Sequence, residues 1–270
     1  MGDIAFIVDL MKKETGMVIS EDKHYIIATK LYPILVKYHH KDLKSLADET
    51  RNNRELIQDI IDTLLVNETF FYRDKYLFSA LDKYILPEKI NSQKLNILCA
   101  ACSSGQEPYS IVMHFLEHYN NMFEFNILGI DVSYSILDKA RQGTYNNFEV
   151  QRGLPKELLD KYFIQNGDEW VIKDLVKKNV TFLHANIGEN LSRLGKFDIV
   201  FCRNVLIYFN QDFREKVINN LTNAMNPDAV LILGSAESVL SKNDNLCKFT
   251  PYPGIYKYVT NPDYLIQKYP

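Results

Sequence analysis

Apolar positions recur at helical spacing along the first 90 residues: Leu56, Ile57, Ile60, Ile61, Leu64 and Leu65 share one face, and Leu77, Leu81, Tyr84 and Ile85 repeat the pattern. Beyond residue 90 the period changes. The short apolar runs Asn96 to Ala100, Phe125 to Ile130, Thr181 to Ile187, Phe197 to Cys202 and Val230 to Leu233 are predicted strands. Between them fall three predicted helices. The first buries Ile111, Val112, Phe115, Leu116 and Tyr119, the second starts near Ser133 with Gly143 placed to end it, and the third shows Phe213, Val217, Ile218, Leu221 and Met225. Two segments break the alternation. Tyr162 to Lys173 reads as a hairpin around Asn166-Gly167, and Cys247 to Val259 as a closing antiparallel pair at the sheet edge.

Alternating strands and helices specify an α/β fold, a mainly parallel sheet with helices on both faces and a ligand site beyond the carboxyl ends of the strands. Composition agrees with a folded chain: 270 residues, 46% hydrophobic and 24% charged, exclude wholesale disorder and allow one large or two smaller domains. The formal net charge of −3 argues against a bulk nucleic-acid binder, because no excess of cations exists to displace phosphate counterions. No apolar run reaches the roughly 18 residues that span a bilayer. Asp3 and Asp9 stand where a signal peptide carries positive charge, so the expectation is a cytoplasmic protein without membrane insertion. Cys99 and Cys102 form a single C-x-x-C without the further ligands a zinc site needs, and buried free thiols are expected.

Strand ends are where chemistry is sought. The loop Ala101 to Pro108 follows the first strand with small residues that let a ligand approach the backbone. It is not G-x-G-x-x-G, and Glu107 at the helix start would repel a pyrophosphate, which favours a ligand with a cationic group, although an ordinary βα turn could share this composition. Asp131 ends the second strand, suited to accept hydrogen bonds from ribose hydroxyls, while Ser133 can cap the next helix. Together these suggest an adenosine ligand without a diphosphate, which S-adenosylmethionine satisfies. Arg203 and Asn204 end a later strand, where burial requires a partner, either a ligand or a salt bridge.

Four segments resemble one family. NETFFYRD at 67–74, AACSSGQEPYS at 100–110, RGLP at 152–155 and FDIVFCRNVLIYF at 197–209 occur in the order found in the chemotaxis receptor methyltransferases, the CheR family, and the resemblance covers nearly the whole chain. It implies a Rossmann-like methyltransferase sheet over residues 86–270, a small β-hairpin insertion at about 155–180, and an all-α N-terminal domain over 1–85. The implied activity is S-adenosyl-L-methionine-dependent methylation of glutamate side chains on cytoplasmic signalling helices of chemoreceptors, with S-adenosyl-L-homocysteine as product. By the same resemblance Asn67, Thr69 and Arg73 close over the cofactor, and Glu107 is the first-loop acid. Asp131 is the ribose acid, Asn186 and Ile187 the adenine-side pair, and Arg203 and Asn204 the strand-end pair. Arg73 and Tyr208 are the catalytic residues beside the transferred methyl, and no metal is implied.

Other readings stay open at this level. A scaffold that keeps the cofactor without catalysis, or a carboxyl methyltransferase acting on another protein or a small acid, would share the fold. The Asp/Asn-Pro-Pro-aromatic and Pro-Cys motifs of DNA methylation are absent. Lys23, Lys30 and Lys37 recur every seven residues and could dock an acidic receptor helix, or form an ordinary solvated face. Against docking, residues 1–90 carry 13 Lys plus Arg and 15 Asp plus Glu, and Pro33 would disturb the helix. The turn Asn166-Gly167-Asp168 is shorter than the Gly-rich loop with which some family members grip a receptor's C-terminal pentapeptide, which implies independence of that peptide.

Overall fold

The computed structural model describes residues 2–89, 94–119, 122–239 and 245–260. Four helices come first: α1 (Gly2–Thr15), α2 (His24–Lys37), α3 (Leu43–Glu49) and α4 (Arg54–Leu64). Asp42 and Asn53 cap α3 and α4, their side chains accepting from the backbone N–H groups of Ser45 and Leu56. Ile7, Met11, Leu31, Leu46, Leu56 and Ile60 are fully buried between these helices. At about 1.5–3 kcal/mol for each such side chain, this small core can hold the four helices together. Pro33 does not interrupt α2 as the sequence suggested. It lies on the exposed side with Thr29, so the carbonyl that loses its helical donor can turn to water.

Packing divides the helical region unevenly. The stretch α5 (Tyr76–Ala80), a π turn at Leu81–Ile85 and α6 (Leu86–Lys89) carries the second apolar repeat. Leu77, Leu81 and Ile85 nevertheless join the core beneath the sheet, not that of α1 to α4.

The main sheet has seven strands in the order β6-β2-β1-β7-β8-β10-β9. These are β1 (Lys94–Ala100), β2 (Glu124–Asp131), β6 (Val180–His184), β7 (Phe197–Cys202), β8 (Met225–Leu233), β9 (Leu246–Lys248) and β10 (Ile255–Tyr258). The first five pair in parallel, and β10 returns antiparallel between β8 and β9, as the closing stretch predicted. Helices α7 (Gln106–His118), α8 (Tyr134–Gln142) and α12 (Gln211–Asn223) connect the strands. Met225, read as the end of the last helix, opens β8. It is buried in either setting, and an apolar position does not by itself distinguish them. Residues Ala100, Ile130 and Cys202 are in register across β2, β1 and β7. The loops that follow them therefore emerge side by side.

The predicted hairpin exists as β4 (Phe163–Asn166) and β5 (Glu169–Ile172), but it belongs to a separate three-stranded sheet. Its third strand is β3 (Thr144–Asn146), only three residues and too short to show a period. Short helices α9 (Asn147–Gln151), α10 (Lys156–Tyr162) and α11 (Asp174–Lys177) tie this sheet to the main one. Cys99, Cys102 and Cys202 are buried free thiols whose pKa burial pushes up, and Cys247 is partly exposed. Among the described residues no cluster of His, Cys, Asp and Glu is arranged to hold a metal, and no helix is long and apolar enough to cross a membrane.

Candidate active site

The aligned strand ends of β1, β2 and β7 open into a pocket of about 740 Å³ including its mouth. The loop after β1 is backbone-strained: Ala101 and Ser103 hold φ of 57° and 50°, and Gly105 at 88° precedes α7. Left-handed non-glycine residues cost about 1–3 kcal/mol each and persist where surrounding bonds fix them. The bonds here are Cys102 N–H to the Ile130 carbonyl at 2.9 Å, Ser103 N–H to Asp131 at 2.9 Å, and the Ser103 hydroxyl to the Asn67 carbonyl at 2.9 Å. Asp131 is 6% exposed and also accepts from Ser133 N–H at 3.1 Å. Burial raises its pKa, opposed by the N–H groups of Ser133 and Ser103. Ser133 caps α8, as the sequence suggested, yet Asp131 is not wholly spared: one lone pair on each oxygen goes to backbone.

Arg203, at the end of β7, is the hub of the opposite wall. Its guanidinium donates to Glu107 at 2.5 Å, to Asp74 at 2.6 Å and to the Arg73 carbonyl at 3.1 Å. Of the two partners left open by the sequence, a salt bridge therefore takes the terminal nitrogens, and the Glu107 charge is compensated within the protein. The arrangement braces the loop carrying Arg73, whose neighbours Tyr72 and Asp74 both have left-handed backbone, at φ of 53° and 60°. Tyr72 N–H is held by the Ser110 hydroxyl at 3.0 Å. The Nε of Arg203, a residue that lines the pocket, is buried without a partner. Such an orphaned donor is the kind of group a polar ligand satisfies.

The N-terminal helices supply the remaining wall. After α1 the chain crosses the pocket, Thr15 and Met17 lining it; Met17 bridges Phe209, and Val18 N–H bonds the Tyr208 carbonyl at 2.9 Å. Asn186, beyond β6, donates to the Glu14 carbonyl at 2.7 Å and accepts from Gly188 N–H at 2.8 Å. Its amide thus fastens the crossing segment to the sheet, and Ile187 is buried beside it.

Seven of the predicted residues line the pocket: Asn67, Asp131, Asn186, Ile187, Arg203, Asn204 and Tyr208. Thr69, Arg73 and Glu107 do not line it. Partial burial raises the pKa of the Tyr208 hydroxyl above the ordinary phenol value, while the Arg73 charge opposes and Glu68 and Glu237 add to the rise. Tyr208 therefore keeps its hydroxyl proton and is a hydrogen-bond donor throughout the neutral range. The sequence reading missed Glu237. This buried carboxylate accepts from Asn204 N–H and Gly234 N–H, both at 2.8 Å, and from Ile207 N–H at 3.3 Å. Its only sequence signal is a position a few residues beyond the last parallel strand.

Fold and pocket define a class, the S-adenosylmethionine-dependent methyltransferases, in which the cofactor sits at the carboxyl edge of a parallel sheet. Within it the chain belongs to the CheR methyltransferase family: the family profile described as CheR methyltransferase, SAM binding domain, matches residues 67–253. The chain is similar to chemotaxis protein methyltransferase 1 of Vibrio cholerae serotype O1, with 38% identity over 253 residues, 91% of this chain and 92% of the relative. It is also similar to the chemotaxis protein methyltransferase of Borreliella burgdorferi, 33% identical over 258 residues and 90% of each chain. Among solved structures, a TehB-like SAM-dependent methyltransferase from Corynebacterium glutamicum overlaps with a TM-score of 0.40 at 14% identity, covering 70% of this chain and 96% of that one.

Proposed function

We propose that this protein methylates glutamate side chains on the cytoplasmic signalling helices of chemoreceptors, and that it works in the cytoplasm. The observation that carries the reading is a strand-end pocket lined by Asp131, Tyr208 and Arg203, with the Arg203 Nε buried and without a partner. S-adenosylmethionine, when bound, supplies a methyl group on a positively charged sulfur. Asp131, Asn67, Asn186, Ile187, Asn204 and Arg203 line the pocket and would hold it, and Glu107 braces Arg203 from behind.

A free glutamate side chain has a pKa of about 4.3, so its carboxylate is ionised at neutral pH and needs no general base. What the protein adds is position. Arg73 orients the carboxylate through charge-assisted hydrogen bonds, and the neutral Tyr208 hydroxyl donates one more. Orientation of this sort is worth roughly 7 to 11 kcal/mol of barrier. Thr15, Met17, Asn67 and Glu68 wall the pocket and would limit the access of water to a bound cofactor. The cap is then α1 to α4 and not the whole of residues 1–85, because Leu77, Leu81 and Ile85 pack with the sheet, and the two-residue turn Gly167-Asp168 supports a receptor interaction independent of a C-terminal pentapeptide.

Incubation with labelled S-adenosylmethionine and a receptor signalling fragment tests the reading. Label released as methanol by base is expected, the mark of a carboxyl methyl ester, and Arg73→Ala is expected to bind cofactor but lose transfer. Base-stable label would mean another acceptor, and absent label with intact cofactor binding would mean a scaffold.

A further inference from the structure

Beside Glu68, which lines the pocket, the turn carrying Arg152 meets the loop carrying Arg73. Gly153 has φ +87°, and a Cβ there would stand 2.1 Å from the Phe71 carbonyl oxygen. Glycine alone permits that approach of backbone to backbone, and it fixes where Arg152 projects. The Arg152 guanidinium lies 4.5 Å from the centre of the Phe70 ring, and that of Arg73 lies 5.3 Å from the same centre. Two cations thus share one aromatic ring, no more than about 10 Å apart, the sum of those distances. Arg152 bonds the Glu68 carboxylate at 2.6 Å, and Arg73 donates to the Glu68 carbonyl at 3.3 Å.

The Arg152–Glu68 pair is open to water, its side chains 41% and 59% exposed. An exposed pair of this kind contributes at most about 1 kcal/mol, so another carboxylate can replace Glu68 at little cost. The chain's net charge of −3 gives no general attraction to an acidic partner, which makes two guanidinium groups beside the acceptor position the more consequential.

We propose that Arg152 is a substrate-recognition residue, forming with Phe70 and Arg73 a subsite for a second carboxylate one helical turn from the acceptor glutamate. The proposal rests on the reading of glutamate as acceptor. Side chains three or four residues apart on a helix have Cβ atoms about 5–6 Å apart, and glutamates there can reach two guanidinium groups at this separation. Arg73 takes the acceptor and Arg152 its neighbour. Glu68 is the resident counter-ion that the neighbour displaces.

The test uses a soluble chemoreceptor cytoplasmic fragment with one acceptor glutamate, flanked one turn before and after by either glutamate or glutamine. With the unaltered enzyme, glutamine flanks are expected to raise KM about tenfold with kcat little changed. Arg152→Ala is expected to raise KM as much on the glutamate-flanked fragment and to change nothing on the glutamine-flanked one. Arg152→Lys restores part of the loss, keeping charge without the planar fork. Calorimetric affinity for S-adenosylhomocysteine and the melting temperature stay as in the parent. Equal KM for both fragments, or equal impairment of Arg152→Ala on both, overturns the subsite alone. Methylation of neither fragment overturns the glutamate reading and the subsite with it.

Discussion

Glu237 gathers three backbone N–H groups from two loops, those of Asn204 and Ile207 after β7 and of Gly234 after β8. A left-handed Asn204, at φ 59°, turns the chain so that Tyr208 reaches the pocket, and the carboxylate stabilises that turn. A Cβ at Gly234 would stand 2.7 Å from the Glu237 carboxylate and would have to push that side chain off its donors. Removing the carboxylate leaves donors buried without partners, at about 1–3 kcal/mol each. Glu237→Ala is therefore expected to lower the melting temperature and to slow methyl transfer at least tenfold under conditions where the protein is still folded. Glu237→Gln, which keeps one oxygen, should recover most of the stability. Transfer at the parental rate by folded Glu237→Ala would show that the turn holds without it.

Between elements, the contact of the π turn with α7 is polar within an otherwise apolar core. His114 on α7 is 5% exposed and its Nε2 lies 2.7 Å from Asp82, which also accepts from the Tyr119 hydroxyl at 2.9 Å. Burial lowers the imidazole pKa below its ordinary 6.5, Asp82 opposing and His118, whose ring centre is 4.6 Å away, adding to the fall. A group whose folded pKa is depressed favours folding in its neutral form. That stability is whole above the unfolded value of about 6.5 and is lost as pH falls through the folded one. The melting temperature is expected to drop between pH 7 and pH 5, and less steeply in His114→Gln. Parallel pH profiles for the two proteins would place the acid sensitivity elsewhere.

Across the whole molecule, the core of α1 to α4 and the two cores of the sheet domain meet around the strand-end pocket. The helical core of α1 to α4 and the sheet meet through the Thr15–Val18 crossing, the Asn186–Glu14 bond and the hydrogen bond from Gln58 to the Val132 carbonyl at 3.0 Å. The charge pattern of the surface also changes from the sequence reading. Lys23, Lys30 and Lys37 are all exposed, but Lys37 is bonded to Asp59 on α4 at 2.5 Å, so its charge is already shared within the helical domain. The small sheet ends in a two-residue turn with Gly167 at φ 60°, which leaves little loop to wrap a peptide. Titration with a receptor C-terminal pentapeptide is expected to give no calorimetric signal in the micromolar range, and tight binding would overturn that expectation.

Much of this was legible in the sequence because it is local. The strand runs, the small-residue loop after β1, the Ser133 cap and Asp131 at a strand end depend on neighbours in the chain, and period, size and backbone freedom record them. Other features required the tertiary structure. The helical stretch from Tyr76 to Lys89 shows a buried face, but only the fold decides that the sheet covers it. Three residues, Thr144 to Asn146, become a strand only because β5 lies beside them. Arg203 needed a partner by virtue of its place, yet Glu107 and Asp74 lie 96 and 129 residues away in the chain. Periodicity reports that a side chain leaves water. It does not report what it meets, because burial is a property of one position and a contact is a property of two.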